Sequence, residues 1–380
     1  MNRDYYLKQI KTSFKNHPVV ALLGARQVGK STLSREFQKS FKGHVHFFDL
    51  EDPIDLARLE TPKLTLESLS GLIIIDEIQR RPELFPTLRV LADKNKKVAK
   101  YLILGSASRE LLQQSSESLA GRIAYIEVRP FSVIEKIDLK RLWLRGGYPK
   151  AYLAKKDVEA SLWLKNYIAT FLERDIPQLG FQIPPQTLRR FWLMLTHYHA
   201  GIFNGAEIGS ALGASGQTVR RYLDILTQTY MIRELQPWHA NIDKRQIKSP
   251  KIYFRDTGLL HQLMSLNNEE SLMNHPKLGA SWEGFVVEQI SAHLDLNPEE
   301  LFFWGTHSNA ELDLLTFIDG HPVGFEIKYT DAPKITKSMQ IACDDLKLKH
   351  IFVFYPGPTN YKINEKITAI GLKNITQFSP

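Results

Sequence analysis

The sequence predicts an α/β protein. A parallel sheet with helices on both faces comes first, then a small basic helical unit, then a second α/β unit. Three observations carry this expectation. From Val19 onward, short apolar runs alternate with amphipathic stretches, the rhythm of repeated strand–helix units. The segment GARQVGKST, residues 24–32, lies between one apolar run and one helical stretch. Near the C-terminus, ELDLLTFIDG and HPVGFEIKYT are apolar runs joined by Asp-Gly, a strong hairpin signal.

The elements follow in order. VVALLG reads as a buried strand and KSTLSREFQKSF as the helix after it. VHFFDLED, LIIIDEIQ, YLILGSAS and RIAYIEVRPFS read as further strands, ending near residue 140. VEASLWLKNYIATFLERDI has apolar residues at helical spacing, and Pro184 and Pro185 then punctuate the chain. These patterns divide the sequence into residues 1–140, a nucleotide-binding α/β domain; 141–185, a helical connector or lid; 186–255, a helix-turn-helix unit; and 256–380, a second α/β domain.

Composition bounds the function. The chain has 380 residues, 43% hydrophobic and 24% charged, as in globular proteins of two or three domains. No stretch approaches the ~18 consecutive apolar residues of a membrane span. MNRDYYLKQIKTSF lacks the apolar core of a secretory signal, and one cysteine, Cys343, allows no intrachain disulfide. Cytoplasm is the expected compartment, without a membrane partner. The net charge of +8 favours an anionic partner.

GARQVGKST matches G-x-x-x-x-G-K-[ST] in the context the motif needs, after a strand and opening a helix. Gly24 and Gly29 let the backbone curl so that the N–H groups of Ala25, Gln27, Val28 and their neighbours face phosphate oxygens, at the positive end of the helix. Lys30 is placed to reach the β- and γ-phosphates of ATP and Ser31 to ligate Mg²⁺, with Thr32 next on the helix. Asp76 and Glu77 emerge at the end of LIIIDEIQ, the strand edge where open α/β sheets bind ligands. Asp76 would hold Mg²⁺ directly or through water, and Glu77 would orient or deprotonate the attacking water. Ser106, ending YLILGSAS, is a candidate for the γ-phosphate or the lytic water, against the alternative of a plain Ser-rich turn.

These features resemble the AAA-type P-loop ATPases. More narrowly, they resemble a widespread prokaryotic family that joins an AAA domain to a C-terminal domain of unknown function. The resemblance rests on GARQVGKSTL, DLEDP, IIIDEIQRRPEL, LILGSAS, LAGRIAYIEVRPFS, RGGYPKAYL, YIATFLERDI, KIYFRDTGLL and GASWEGFVVEQI, and spans nearly the whole chain. It implies ATP binding and hydrolysis with Mg²⁺. In ring-forming ATPases an arginine at the place of Arg122 reaches a neighbour's γ-phosphate, which would imply a homo-oligomer; a plain surface arginine is the alternative.

NGAEIGSALGASGQTVRRYLDILTQTYMIREL (204–235) has the rhythm of a helix-turn-helix. Ala206, Ile208 and Leu212 fit a first helix, and Val219, Leu223 and Leu226 line the buried stripe of a second. Gln217, Thr218, Arg220 and Arg221 are then expected to face outward as DNA-binding residues. The following strand, polar loop and strand complete a winged-helix pattern. Residues 185–255 hold ten Lys/Arg against four Asp/Glu, an excess that would attract a phosphate backbone. Packing against protein is the alternative use of such a unit.

In the C-terminal hairpin, alternation puts Asp313, Leu315 and Phe317 on one face and Leu312 and Leu314 on the other. Gly324, Glu326 and Lys328 share a face of the second strand, so antiparallel pairing brings Asp313 beside Glu326. Two adjacent buried carboxylates need a cation or a proton between them. The order of helix Glu283, strand Asp313, strand Glu326-x-Lys328, helix and strand resembles the PD-(D/E)xK nucleases, the restriction-endonuclease-like fold. That resemblance implies Mg²⁺ held by Asp313 and Glu326 with help from a helix acid, Glu283 ahead of Glu288, and Lys328 as catalytic lysine. A salt bridge on a half-buried hairpin, or a nuclease fold that only binds, are the alternatives.

Overall fold

The computed structural model describes residues 3–94, 99–108, 119–242 and 244–380. Its contacts divide it into two compact units, residues 1–130 with 173–183 and 225–231, and residues 131–172 with 184–224 and 232–380. Among the described residues, no helix is long and apolar enough to cross a membrane.

The first unit is built from α1 (Asp4–Asn16), β1 (Val19–Leu23), α2 (Lys30–Ser40), β2 (Val45–Asp49), β3 (Gly71–Asp76), α3 (Leu84–Lys94), β4 (Ala99–Gly105) and β5 (Ile123–Glu127). The strands form one parallel sheet in the order β2-β3-β4-β1-β5. All five residues of β1 are buried, as expected for an interior strand of a sheet covered on both faces. Val19, Ala21, Ile73, Ile75, Tyr101 and Ile103 pack with Phe85, Leu88 and Leu91 of α3. The register sets the site. Leu23 lies opposite Gly105, and Asp49 opposite Asp76, so the loops after β1, β3 and β4 leave from the same edge.

The second unit contains α4 (Asp157–Thr170), α5 (Pro185–His197), β6 (Gly201–Ile202), α6 (Gly205–Leu212), most of α7 (Gly216–Gln228), β7 (Ile232–Pro237) and β8 (Lys251–Phe254). It continues with α8 (Thr257–Leu263), α9 (Leu278–His293), β9 (Phe302–Gly305), β10 (Glu311–Ile318), β11 (His321–Ile327), α10 (Lys337–Asp345), β12 (His350–Tyr355), β13 (Tyr361–Lys362) and β14 (Ile367–Gly371). Its strands form a mixed sheet in the order β13-β14-β12-β11-β10-β9-β7-β8-β6. The join is a short parallel pairing of β7 with β9, where Gln236 faces Phe302. The segments that the sequence divides near residue 255 therefore share one sheet.

Between β10 and β11, Asp319 and Gly320 both have positive φ, +50° and +77°, and Ile318 pairs with His321. That is the two-residue turn whose twist matches a hairpin. The simple alternation expected along β10 does not hold. Its pairing with β9 shifts register between Leu312 and Leu315, so Leu312 and Leu315 pack together with Met339 and Ala342 of α10. Leu314 instead joins the core around Phe285 and Val286 of α9. A bulge inserts a residue and re-aims the side chains beside it; here Asp313 and Leu314 both lie between the paired Leu312 and Leu315, against one residue, Phe303, on β9.

Candidate functional site

The phosphate loop is held from two sides. Arg3 donates through Nη1 to the Val28 carbonyl at 2.9 Å and through Nη2 to that of Arg129 at 2.6 Å. A Cβ on Gly24 would lie 2.2 Å from the Val128 carbonyl oxygen, so only glycine fits there. Gly29, at φ +97°, turns the chain into α2. Ala25 and Val28 are buried beneath the loop, Gln27 is exposed with φ +64°, and Thr32 faces outward from the first turn of α2.

Lys30 is 6% exposed and folds its Nζ back onto the carbonyls of Gly24 and Ala25, each at 2.9 Å. Burial lowers this amine to about 8, against the pull of the Glu77 and Asp76 carboxylates. The Ser31 hydroxyl donates to Asp76 Oδ2 at 2.7 Å, and the Glu77 amide donates to Asp76 Oδ1 at 2.9 Å. Burial pushes the Asp76 carboxyl up, while the Ser31 hydrogen bond and Lys30 pull it down. A buried carboxylate touching the loop serine is a donor set of the hard-oxygen kind that suits Mg²⁺.

Glu77 sits in the left-handed region, φ +58°, a strained conformation for a residue with a Cβ. It carries the side chain into a cluster with Gln79 and Ser106. Gln79 Nε2 donates to Glu77 Oε2 and, at 2.8 Å, to Ser106 Oγ; the Ser106 hydroxyl donates to Glu77 Oε2 at 3.2 Å. Ser106 is thus brought to Glu77. Gln79, which sequence reasoning did not single out, links the two, and its signal was the last letter of DEIQ. Arg26 is a second omission. Its guanidinium pairs with Glu51 and Asp175, both at 2.5 Å, and donates to Gln178 at 3.0 Å. Its signal was an arginine inside the phosphate loop itself.

Arg122 lies elsewhere. It precedes β5, and its carbonyl accepts from Val19 at the start of β1, so it occupies the sheet edge opposite its own phosphate loop. Its side chain makes a two-pronged pair with Asp93, at 2.7 and 2.9 Å.

In the second unit, α6 and α7 stand where the helix-turn-helix was expected. Val219 and Leu223 are buried as predicted. In α6, however, Ile208 and Gly209 are the buried residues, while Ala206 is exposed and Leu212 half-buried. A Cβ on Gly209 would come 2.9 Å from the Ala214 carbonyl oxygen, so the turn leans on that side of the helix. Gln217, Arg220 and Arg221 are exposed. Thr218 is half-buried, with its hydroxyl 2.9 Å from that of Ser215 and its amide donating to the same Ser215 oxygen. Arg220 is clamped between Asp224 and Glu234, with bonds of 2.8 and 2.6 Å. Part of the local positive charge is met inside the unit. Arg233 and Arg255 pair with Glu288, Lys244 with Asp345, and Lys251 with Glu283, Glu311 and Asp313. A charge count over a window of sequence cannot see partners 32 to 101 residues away.

The four residues picked from the C-terminal sequence do converge, but with a fifth among them. Lys251, 2% exposed on β8, places its Nζ 3.1 Å from Glu283, 3.8 Å from Asp313 and in contact with Glu311. Tyr253, two residues along the same strand, donates to Glu283 at 2.6 Å. Lys328 pairs with Glu326 at 2.6 Å, and the Ile327 amide donates to Asp313 Oδ2 at 2.8 Å. Burial drives Glu283 and Glu326 up, and the Asp313 charge adds to both. Among the described residues, no group of three or more His, Cys, Asp and Glu is arranged to hold a metal ion. An ammonium lies between the helix acid Glu283 and the strand acids Glu311 and Asp313, while the buried Oε2 of Glu326 has no hydrogen-bond partner. The signal for Lys251 was a lysine opening the apolar strand KIYF.

The parallel sheet, the phosphate loop and the Ser31–Asp76 pair define a P-loop ATPase domain of the AAA type, and residues 16–137 match the family model described as an AAA domain. Residues 136–270 match a domain of unknown function (DUF8612), and residues 278–375 another (DUF4143). The chain is 48% identical over 364 residues to uncharacterized protein Rv2008c of Mycobacterium tuberculosis and, equally, to uncharacterized protein Mb2031c of Mycobacterium bovis, covering 95% of this chain and 82% of each relative. It belongs to the family of these two proteins. Among solved structures it is similar to the Walker-type ATPase PABY2304 of Pyrococcus abyssi, at 17% identity and a TM-score of 0.46, over 69% of this chain and 95% of that one.

Proposed function

We propose that this chain is an ATP-driven switch that binds ATP with Mg²⁺, hydrolyses it, and uses its second unit to engage DNA or a protein partner without cutting. The Ser31–Asp76 contact beneath the buried Lys30 carries the ATPase reading. Ser31 and Asp76 would hold the Mg²⁺, which when bound neutralises β- and γ-phosphate oxygens. Lys30 exchanges its two loop carbonyls for phosphate oxygens. The amides of residues 25–32 cradle the phosphates. Glu77, braced by Gln79 and Ser106, orients the attacking water and accepts its proton. Arg122 could serve only a neighbouring copy's site, and only after leaving Asp93.

Fluorescent-nucleotide binding and phosphate release test this assignment. Lys30→Ala should abolish binding. Glu77→Gln should keep binding and slow hydrolysis by about 10²–10⁴-fold. Wild-type affinity in the Lys30 variant would sink the site.

For the second unit, Gln217, Thr218 and Arg221 at the start of α7 are the residues offered to DNA, in a winged-helix arrangement with the β7–β8 hairpin. The nuclease reading of residues 256–380 rests on Asp313, Glu326 and Lys328 lying together. The non-cutting reading is favoured by Lys251 among the carboxylates. A panel of DNA and RNA substrates, with divalent metal and with or without ATP, separates them. Cleavage that is lost in Glu326→Ala would establish the nuclease.

A further inference from the structure

Four carboxylates meet in the second unit, Glu283 from α9, Glu311 and Asp313 from β10, and Glu326 from β11. Glu311 reaches solvent, but the two acids at the centre do not. Glu326 is 3% exposed and Asp313 6%. Such a group stays ionised only beside positive charge. Lys328 supplies one charge, but it is engaged with Glu326 at 2.6 Å. Lys251 supplies the other, and its position is the informative point.

An ammonium carries three donors and no acceptor. Lys251 has three carboxylate neighbours, one from the helix and two from the strand. It arrives from β8, where it pairs with Leu235 and Ile202, so its backbone is locked between two strands. Tyr253 on the same strand takes the same oxygen of Glu283 that Lys251 contacts. Asp313 lies in the bulge of β10, with one oxygen toward Lys251 and the other held by the Ile327 amide. The amine donates to Glu283 at 3.1 Å and stands at ion-pair distance, 3.8 Å, from Asp313.

We propose that Lys251 is a built-in cation that takes the place of a divalent ion between Glu283, Glu311 and Asp313, so that Asp313 is not free to join Glu326 in holding a metal. One covalently tethered charge holds α9 to β10 and needs no ion from solution. The cluster is then a structural centre on a nuclease-like framework. This deepens the non-cutting reading above.

The test uses the full chain with Asp76→Asn throughout and no nucleotide, so that the ATPase site contributes no metal. Mn²⁺ binding is followed by its electron paramagnetic resonance signal, and thermal midpoint by differential scanning fluorimetry. With Lys251 present, the protein should bind no Mn²⁺ that depends on Asp313. Lys251→Ala should lower the midpoint and bind one Mn²⁺, which restores the midpoint; adding Glu283→Gln should remove both binding and rescue. A Lys251→Ala protein that folds but shows no Mn²⁺ rescue overturns the proposal. If Lys251→Ala does not fold, the Lys251-containing protein still decides: Mn²⁺ binding that Asp313→Asn abolishes overturns the proposal, and its absence supports it. Cleavage by a protein with no Mn²⁺ at these carboxylates would sink the non-cutting reading and leave the lysine assignment standing.

Discussion

Lys30 should make nucleotide binding depend on pH in the alkaline range. Its amine is buried against two backbone carbonyls and titrates at about 8 rather than 10.5, because burial outweighs the nearby Glu77 and Asp76 carboxylates. The gap corresponds to about 3 kcal/mol, at about 1.4 kcal/mol per pH unit. The sign follows from the depressed value. Below about 8 the amine is charged in folded and unfolded chains, and the folded state bears the full cost. Between about 8 and 10.5 the unfolded chain binds the extra proton, so this group's cost falls and apo stability rises with pH. ATP reverses the balance by bringing phosphate charge to the amine. Bound protein therefore keeps the proton to higher pH. Measured without Mg²⁺ by titration calorimetry, in buffers of different ionisation enthalpy, affinity should be level below about pH 8. Above it, affinity should weaken about tenfold per pH unit, with proton uptake approaching one per ATP. An affinity unchanged from about pH 7.5 to about 9.5, with no proton uptake, would refute the reasoning.

Two further outcomes follow from the second unit. Glu288→Gln leaves Arg233, 5% exposed and now held at 2.5 and 3.0 Å by the Glu288 carboxylate, facing a neutral partner. Stability in denaturant should fall by about 3–5 kcal/mol; an unchanged midpoint would show that the pair carries no weight. If α7 contacts DNA, Arg221→Ala should weaken binding and reduce the salt slope by about one. Arg220→Ala should change affinity little, because Asp224 and Glu234 already neutralise that guanidinium. Equal loss in both variants would contradict the distinction.

Much of the first unit was legible because its signals are local. A buried strand, a glycine turn and a helix start are consecutive in VVALLGARQVGKST, and Asp76–Glu77 directly follow the β3 strand that delivers them. Gln79 and Arg26 escaped notice because their roles depend on partners from other loops, Ser106 in one case and Glu51 and Asp175 in the other. The buried side of α7 was readable in Val219 and Leu223. The exposed Ala206 was not, because which side of α6 is covered depends on the close approach of Ala214 to Gly209.

By itself, the sequence determined the strand and helix rhythm, the phosphate loop and the Asp-Gly hairpin, since each arises from neighbours along the chain. The tertiary structure alone decided that β7 joins β9 and merges two segments into one sheet. It alone decided that a bulge breaks the alternation at Asp313, and that Lys251 enters the acid cluster. The physical reason is the same in each case. Sheet pairing, bulges and buried charge compensation are settled between residues far apart in sequence, where a carboxylate's character depends on the cation that folding places beside it.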